Sequence, residues 1–212
     1  MTDSTRHRQQ LPLYDCVPQV KDAWIAPNAS LIGNVAVSKW ATVWYNVIIR
    51  AELNAVRIGH FSSIGDGSSI YTAHSLPHGI SASVNIGKNV VVESGCSLHS
   101  CIIDDDCVIG SNSVIGEGAR LERGCVILPN SIVPPGRLIP AGQVWGGNVV
   151  TFVRNLTEEE QMQNYANSYS KGAPVEGGAG EFSLWPHEVK QEISAGQESM
   201  DDYAHKNYFS NL

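Results

Sequence analysis

The stretch Ile86–Val133, IGKNVVVESGCSLHSCIIDDDCVIGSNSVIGEGARLERGCVILPNSIV, decides the fold of this chain. A large aliphatic residue returns at every sixth position, apart from one five-residue step, and a small residue stands four positions after most of them. A period of six fits neither an α-helix nor an alternating β-strand, and it is the signature of a hexapeptide-repeat parallel β-helix. The aliphatic positions are Ile86, Val92, Leu98, Ile103, Ile109, Ile115, Leu121, Ile127 and Val133, and the small residues are Cys107, Ser113, Ala119, Cys125 and Ser131.

The same repeat extends towards the N-terminus. It begins at Ile25, takes one nine-residue step between Ile49 and Ile58, and is interrupted by residues 71–85, which we expect to form a protruding loop. Each hexad supplies one short strand and one corner, so that three hexads make one coil. The sequence therefore predicts an all-β chain whose parallel β-helix spans residues 25–154.

Three further segments flank the predicted β-helix. Residues 1–24 are polar and interrupted by proline, and we expect an N-terminal arm. Residues 155–171 are expected to form a helix packed on the prism, because Thr157 and Glu160 have the spacing of a capping box. Residues 172–212 form a Gly-rich linker and a tail with several aromatic residues, which we expect to dock on a partner: Trp185, Tyr203, Tyr208 and Phe209.

The composition excludes several classes of function. A net charge of −7 argues against nucleic acid as a partner, because phosphates require a basic surface. No apolar run approaches the roughly 20 residues of a membrane span. The first ten residues have no secretory signal and at most a weak organelle-targeting character, so we expect the cysteines to be reduced thiols.

Five short motifs carry a resemblance to a known family. They occur in order along the hexads, and together they resemble the γ-class carbonic anhydrases over residues of about 20–165. The resemblance implies a left-handed parallel β-helix, a trimer, and zinc sites between neighbouring subunits. The motifs are Ile49–Glu52, Ile64–Gly67, Leu98–Cys101, Val144–Asn148 and Arg154–Thr157.

The zinc ligands of that family are three histidines, because neutral imidazoles and an open fourth position let zinc lower the pKa of bound water to about 7. By the resemblance, the first ligand position is Tyr71, the second is Ser94, and only the third is a histidine, His99. The glutamine of the family's Gln-Asp pair is replaced by Gly65, and the aspartate of its Arg-Ala-Asp motif is Glu52.

These replacements predict that the chain has no catalytic residues and binds no metal or other cofactor by itself. A tyrosine titrates near pH 10, so an anionic tyrosine ligand costs roughly 4 kcal/mol at pH 7. Serine is a poor zinc ligand beside imidazole. His74 and His78, in the loop after Tyr71, are the possible substitute ligands. In the family, the second histidine comes from a neighbouring subunit, so zinc remains possible only between two other subunits of a trimer.

The segment SIVPPGRLIPAGQVWGGN, residues 131–148, resembles the degenerate γ-carbonic-anhydrase-like subunits of mitochondrial respiratory complex I. This resemblance implies a non-catalytic structural subunit in a heterotrimer with other γ-carbonic-anhydrase-family subunits. It also implies contact with membrane-arm subunits of complex I, peripheral to the inner membrane on its matrix side.

Four residues are candidates for structural or interface roles: Arg50, Glu52, Asp66 and His99. Arg50 and Asp66 resemble a charge pair of the family, and we expect a structural salt bridge at a subunit contact. Three other functions stay open. They are an active zinc carbonic anhydrase with altered ligands, a hexapeptide-repeat acyltransferase that uses coenzyme A, and a scaffold protein of a different complex.

Overall fold

The computed structural model of the chain describes residues 9–79, 81–162 and 164. Its short strands form a twelve-stranded and an eight-stranded sheet, and all strand pairs are parallel except the last one in the chain. The strands wind into a parallel β-helix of about seven coils. This architecture confirms the predicted fold class. A 3-10 turn, Pro77–Gly79, lies in the loop that interrupts the hexads.

The prism has three faces, which we number by the order in which the chain visits them. The first face contains β1 (Gln10–Leu11), β8 (Ser69–Tyr71), β11 (Ser97–His99), β14 (Val114–Ile115), β17 (Ile132–Val133) and the first residues of β4 (Ser30–Val37) and β6 (Ile48–Ile58). The second face contains the last residues of β4 and β6 with β2 (Gln19–Val20), β9 (Val84–Ile86), β12 (Ile102–Ile103), β15 (Arg120–Leu121) and β18 (Leu138–Ile139). The third face contains β3 (Trp24–Ile25), β5 (Thr42–Val43), β7 (Ser63–Ile64), β10 (Val91–Val92), β13 (Val108–Ile109), β16 (Val126–Ile127), β19 (Gln143–Gly146) and β20 (Thr151–Asn155).

The hexad aliphatic residues form the interior of the prism. Each strand pairs with the equivalent strands one coil before and after it, so that these residues stack along the axis. Complete burial of such a side chain contributes roughly 1.5–3 kcal/mol, which makes the stack the main source of stability. The largest fully buried side chains are Leu31, Ile49, Ile58, Ile64, Ile70, Leu98, Ile103, Ile109, Ile115, Leu121, Ile127 and Ile139.

The corners explain the small residue of each hexad. At many corners the residue before the small one has a positive φ, such as 72° at Gly95 and 56° at Asn112. Glycine and asparagine tolerate this left-handed conformation. The turn then directs the next side chain, Cys96 or Ser113, into the narrow interior, where both are buried. The Ser113 hydroxyl donates to the Leu128 carbonyl at 3.1 Å, so this buried polar group is satisfied.

The nine-residue step of the sequence lies within β6, which passes from the first face to the second. Leu53 is 58% exposed in the middle of this strand. The side chain of Asn54 donates to the carbonyls of Ala73 (2.6 Å) and His74 (3.1 Å). The extra residues of β6 therefore hold the base of the loop formed by residues 72–83.

The structure describes parts of the N-terminal arm and of the helix that flank the hexads. Within the stretch expected to be an arm, β1 and β2 pair in parallel with β4. The helix begins at residue 158. Thr157 and Glu160 form reciprocal bonds there, from Glu160 N to Thr157 Oγ1 at 3.3 Å and from Thr157 N to Glu160 Oε2 at 3.1 Å. The linker and tail, residues 172–212, lie outside the described residues.

The first turn of this helix lies against the third face. Leu156, Glu160 and Asn164 line a small cavity together with Val126 and Val144. In the described part of the chain, no helix has the length and apolar character that a membrane crossing needs.

Candidate functional site

Two of the three positions that correspond to the family's zinc ligands meet on the outer surface of the first face. Tyr71 ends β8 and His99 ends β11, and the two residues are directly paired across these strands. Their rings are stacked, with centroids 5.5 Å apart and an interplanar angle of 28°. Both side chains are half-buried. The structure thus brings the first and third ligand positions into direct contact through ring stacking.

Two serines hold the imidazole of His99 in place. Ser97 Oγ lies 2.9 Å from His99 Nε2, and Ser69 Oγ donates to Ser97 Oγ at 3.2 Å. Neither serine is among the site residues predicted from the sequence. Residues two apart on a strand share a face, so Ser97 was detectable as a neighbour of His99. Ser69 has the same relation to Tyr71.

Arg50 continues this row of outward side chains on the neighbouring strand. It is paired with Tyr71 in the β6–β8 register, and its guanidinium carbon lies 6.0 Å from the centroid of the Tyr71 ring. Arg50 Nε donates to Glu52 Oε1 at 2.8 Å. This hydrogen bond and the negative charge of Glu52 raise the pKa of Arg50 above its usual value. The row Arg50–Tyr71–His99 therefore combines a positive charge with two stacked rings.

Asp66 lies away from that row, at an exposed corner. Its carboxylate accepts the backbone N–H of Tyr45 at 2.9 Å, and its carbonyl accepts the N–H of Gly95 at 2.8 Å. Within the described part of one chain, the ion pair of Arg50 is made with Glu52. A salt bridge between Arg50 and Asp66 across a subunit contact stays a prediction.

Gly65 precedes Asp66, at the position of the family's glutamine. A Cβ atom at Gly65 would lie 2.7 Å from the carbonyl carbon of Glu93 and 2.8 Å from the nitrogen of Ser94. Such contacts are shorter than normal van der Waals distances, so a glutamine here requires the backbone of the next coil to shift. The glycine that replaces the family's glutamine therefore fits the local packing.

The second ligand position, Ser94, does not join the other two within the chain. It is exposed in a turn, and its carbonyl accepts the N–H of Asn112 at 2.9 Å. The corner at Gly95 and Cys96 separates it from the strand that carries His99. By the family resemblance this position serves a different subunit contact.

The proposed substitute ligands lie in the loop between β8 and β9. His74 is exposed, and its carbonyl is held by Asn54. The base of the loop is also fastened by Ser100 Oγ, which accepts the Ala73 N–H at 2.6 Å and donates to the Ala82 carbonyl at 2.7 Å. The His78 side chain lies outside the described residues. Substitution by either histidine stays a prediction.

The donor set does not fit zinc. A phenol, an alcohol and one imidazole occupy the three positions, and the imidazole already has a hydrogen-bond partner at Nε2. Structural and catalytic zinc sites use imidazole, thiolate and carboxylate ligands. Within the described residues of a single chain, no group of three His, Cys, Asp or Glu side chains is arranged to hold a metal ion.

Comparison with known proteins identifies the relatives of this chain. The family model described as dynactin subunit 5 matches residues 25–175. "Gamma carbonic anhydrase-like 1, mitochondrial" of Arabidopsis thaliana is 49% identical over 76% of this chain and 64% of its own length. "Gamma carbonic anhydrase 3, mitochondrial" of the same plant is 45% identical over 74% of this chain and 62% of its own length.

The chain belongs to the family of that model, dynactin subunit 5, and its curated relatives at 30–49% identity are γ-carbonic anhydrases and γ-carbonic-anhydrase-like proteins. It spans less than two thirds of the length of the curated relatives it matches. A crystal structure of a hexapeptide transferase family protein from Anaplasma phagocytophilum aligns with a TM-score of 0.71. The two are 27% identical, over 77% of this chain and 93% of that one. Such neighbours are left-handed β-helices, which agrees with the predicted handedness.

Proposed function

We propose that the chain is a non-catalytic structural and assembly subunit of mitochondrial complex I, within a heterotrimer of γ-carbonic-anhydrase-family subunits. It lies peripherally on the matrix side of the inner membrane and contacts membrane-arm subunits. One observation carries the proposal: Tyr71 occupies the first ligand position and stacks on His99 at 5.5 Å, where the family has an imidazole.

The loss affects both subunit contacts that the chain makes in a trimer. At one contact the chain supplies the first and third positions, Tyr71 and His99. At the other it supplies the second position, Ser94. Because each contact lacks at least one imidazole, zinc is retained only between two other subunits. This distribution requires a heterotrimer if any zinc is to remain.

The first face has the character of a subunit contact. Its outward side chains include Ile48 and Val114, which are 41% and 37% exposed in the single chain. Ser69 and Ser97 lie between them in the same row, and the next row of outward side chains contains Arg50, Tyr71 and His99. Tyrosine and arginine are among the residue types that are enriched in protein interfaces. The row Arg50–Tyr71–His99, in which a tyrosine stands at the first ligand position, is thus suited to packing against a neighbouring subunit.

The names of the relatives support the location. Gamma carbonic anhydrase-like 1 and gamma carbonic anhydrase 3 of Arabidopsis thaliana are both named as mitochondrial. The chain is 49% identical to the first of them, whose name marks it as carbonic-anhydrase-like. Arg6 and Arg8 near the N-terminus are consistent with a weak mitochondrial targeting segment.

Two measurements test the proposal. The purified chain is expected to contain no stoichiometric zinc and to give no CO2 hydration above the uncatalysed rate. In native gels of mitochondrial membranes, the chain is expected to co-migrate with complex I together with other members of its family. Stoichiometric zinc with turnover would establish an active carbonic anhydrase instead. Migration as a soluble homotrimer would refute the complex I assignment.

A scaffold role in a different assembly is the second candidate, and the family model supports it. The name of that model, dynactin subunit 5, denotes a subunit of a multi-component protein. The same native-gel experiment separates the two candidates, because mass spectrometry of the band identifies the other proteins in the complex. An acyltransferase is tested separately by binding of acetyl-coenzyme A to the purified chain, for which we expect no saturable signal.

A further inference from the structure

The C-terminal end of the prism carries a strand with an open edge. β20 pairs antiparallel with β19 and is the last strand of the eight-stranded sheet. No other strand within residues 9–79 and 81–162 pairs with its second edge. All five residues of β20 are exposed. An unpaired edge presents backbone N–H and C=O groups that are free to pair with another chain.

The surface around this strand is apolar. Phe152 and Val153 are each 49% exposed, although successive residues of a strand point to opposite sides. Both sides of β20 are therefore open. Val149, two residues before β20, is 56% exposed, and we name Val149, Phe152 and Val153 the end patch. β20 contains neither proline nor lysine, which commonly protect exposed edges, and its one charged side chain, Arg154, is bonded to Glu160.

The charges around β20 are unevenly distributed. Residues 124–156 contain no Asp or Glu, and the nearest carboxylates that follow in sequence are Glu158, Glu159 and Glu160. Arg154 is bonded to Glu160, with Nη1 and Oε2 2.6 Å apart. Arg137 lies 5.0 Å from the centroid of the Trp145 ring, and none of the ion pairs among the described residues involves it. Its positive charge is thus available to a partner.

We propose that the end patch binds an extended segment of a partner protein, which adds to β20 as the next strand. Backbone groups of that segment pair with the open edge. Its apolar side chains cover Phe152 and Val153, and an acidic side chain lies near Arg137. The end patch is at the end of the prism, whereas the proposed subunit contact lies on the first face, so both can be occupied together.

Two other occupants are disfavoured by the same observations. A membrane surface offers no backbone partner, so an unpaired strand edge in hydrocarbon leaves its N–H and C=O groups without hydrogen bonds. A second copy of the end patch would bring Arg137 of both chains to one interface, and Glu160, which follows β20, is already bonded to Arg154. Like charges at an interface suppress such pairing.

Photo-crosslinking in the full chain identifies the occupant. The photoreactive residue p-benzoylphenylalanine replaces Phe152 in cells that make the native assembly, and a control chain carries it in place of Tyr14, which is 91% exposed in the first coil. We expect position 152, and not position 14, to cross-link to one segment of another protein that contains Asp or Glu. A cross-link to a second copy of this chain, to lipid, or to nothing would overturn the proposal.

A binding measurement then tests the geometry. The probe is a synthetic peptide with the sequence of the cross-linked segment, and its binding to the purified full-length chain is measured by fluorescence anisotropy. Val153→Lys is expected to weaken binding about tenfold or more, and Arg137→Glu is expected to weaken it as well. The control Val17→Lys changes another exposed valine, 59% exposed in the first coil, and should leave binding unchanged. Equal affinity of the Val153→Lys and Val17→Lys chains, with unchanged thermal unfolding, would overturn the proposal.

Discussion

Inward and outward residues of the same strands differ in how closely they follow the pattern of the family. On β8 and β11, Ile70 and Leu98 point inward and are fully buried, whereas the adjacent Tyr71 and His99 point outward. The inward residues continue an aliphatic pattern that runs through the whole prism. The outward residues depart from the ligand pattern of the family. Because the core residues and the positions of the family's ligands alternate along the strands, those positions can change while the prism remains intact.

The largest expected effect comes from truncating one inner residue. Leu98→Ala removes a fully buried side chain and should lower the free energy of unfolding by about 2–5 kcal/mol. The control His99→Ala changes the next residue, whose ring makes one hydrogen bond to Ser97, and should cost about 1.5 kcal/mol or less. Chemical denaturation measures both. Equal costs would show that the outer row carries as much stability as the core.

Restoring the histidine ligands tests whether the outer surface of the prism can still hold zinc. In trimers of the purified chain, the double variant with Tyr71→His and Ser94→His should bind zinc, which elemental analysis measures. Its zinc-free form should unfold at nearly the temperature of the parent chain, and bound zinc should raise that temperature. Tyr71→His alone is the control and should not bind zinc stoichiometrically, because the second position remains serine. If the double variant also stays free of zinc, then Gly65 or Glu52 has changed the outer face further.

Thiol labelling compares the reactivity of the buried cysteines with that of the exposed one. Burial raises the pKa of Cys101 to about 12, and the thiolate is the reactive form. At pH 8, iodoacetamide should therefore label Cys16 in the folded chain and the remaining cysteines only in denaturant. Mass spectrometry of the labelled peptides measures this, and rapid labelling of an interior cysteine would contradict a closed prism. The four buried cysteines are Cys96, Cys101, Cys107 and Cys125.

The smallest expected effect concerns an outward ion pair. Arg154, with the backbone N–H of Thr157, lowers the pKa of Glu160 from 4.5 to about 2. A lowered pKa stabilises the folded state above the unfolded value, near pH 4.5, and the contribution is lost as pH falls towards 2. Glu160→Gln should therefore unfold at a slightly lower temperature at pH 7, and its difference from the parent chain should narrow below pH 4.5. A difference that stays constant from pH 7 to pH 2 would contradict this assignment.

The hexad repeat was readable because it is a local property of the sequence. The aliphatic residues from Ile86 to Val133 predicted the buried stack, and the small residues predicted the corners. The place of β1 and β2 was less evident, because two-residue strands that pair with β4 leave no hexad pattern. The nine-residue step in β6 was visible as a change of phase, but the bonds from Asn54 to the loop were not, since they join residues about twenty positions apart.

For the candidate site, the sequence was enough to identify the residues at the family's ligand positions: Tyr71, Ser94 and His99. Their arrangement required the fold: Tyr71 stacks on His99, Ser97 lies within hydrogen-bond distance of His99 Nε2, and Ser94 lies beyond a corner. This arrangement follows from the pairing of strands between coils. Register between β8 and β11 sets side-chain contacts over 28 residues of chain, and the open edge of β20 likewise exists only because the stack of coils ends there.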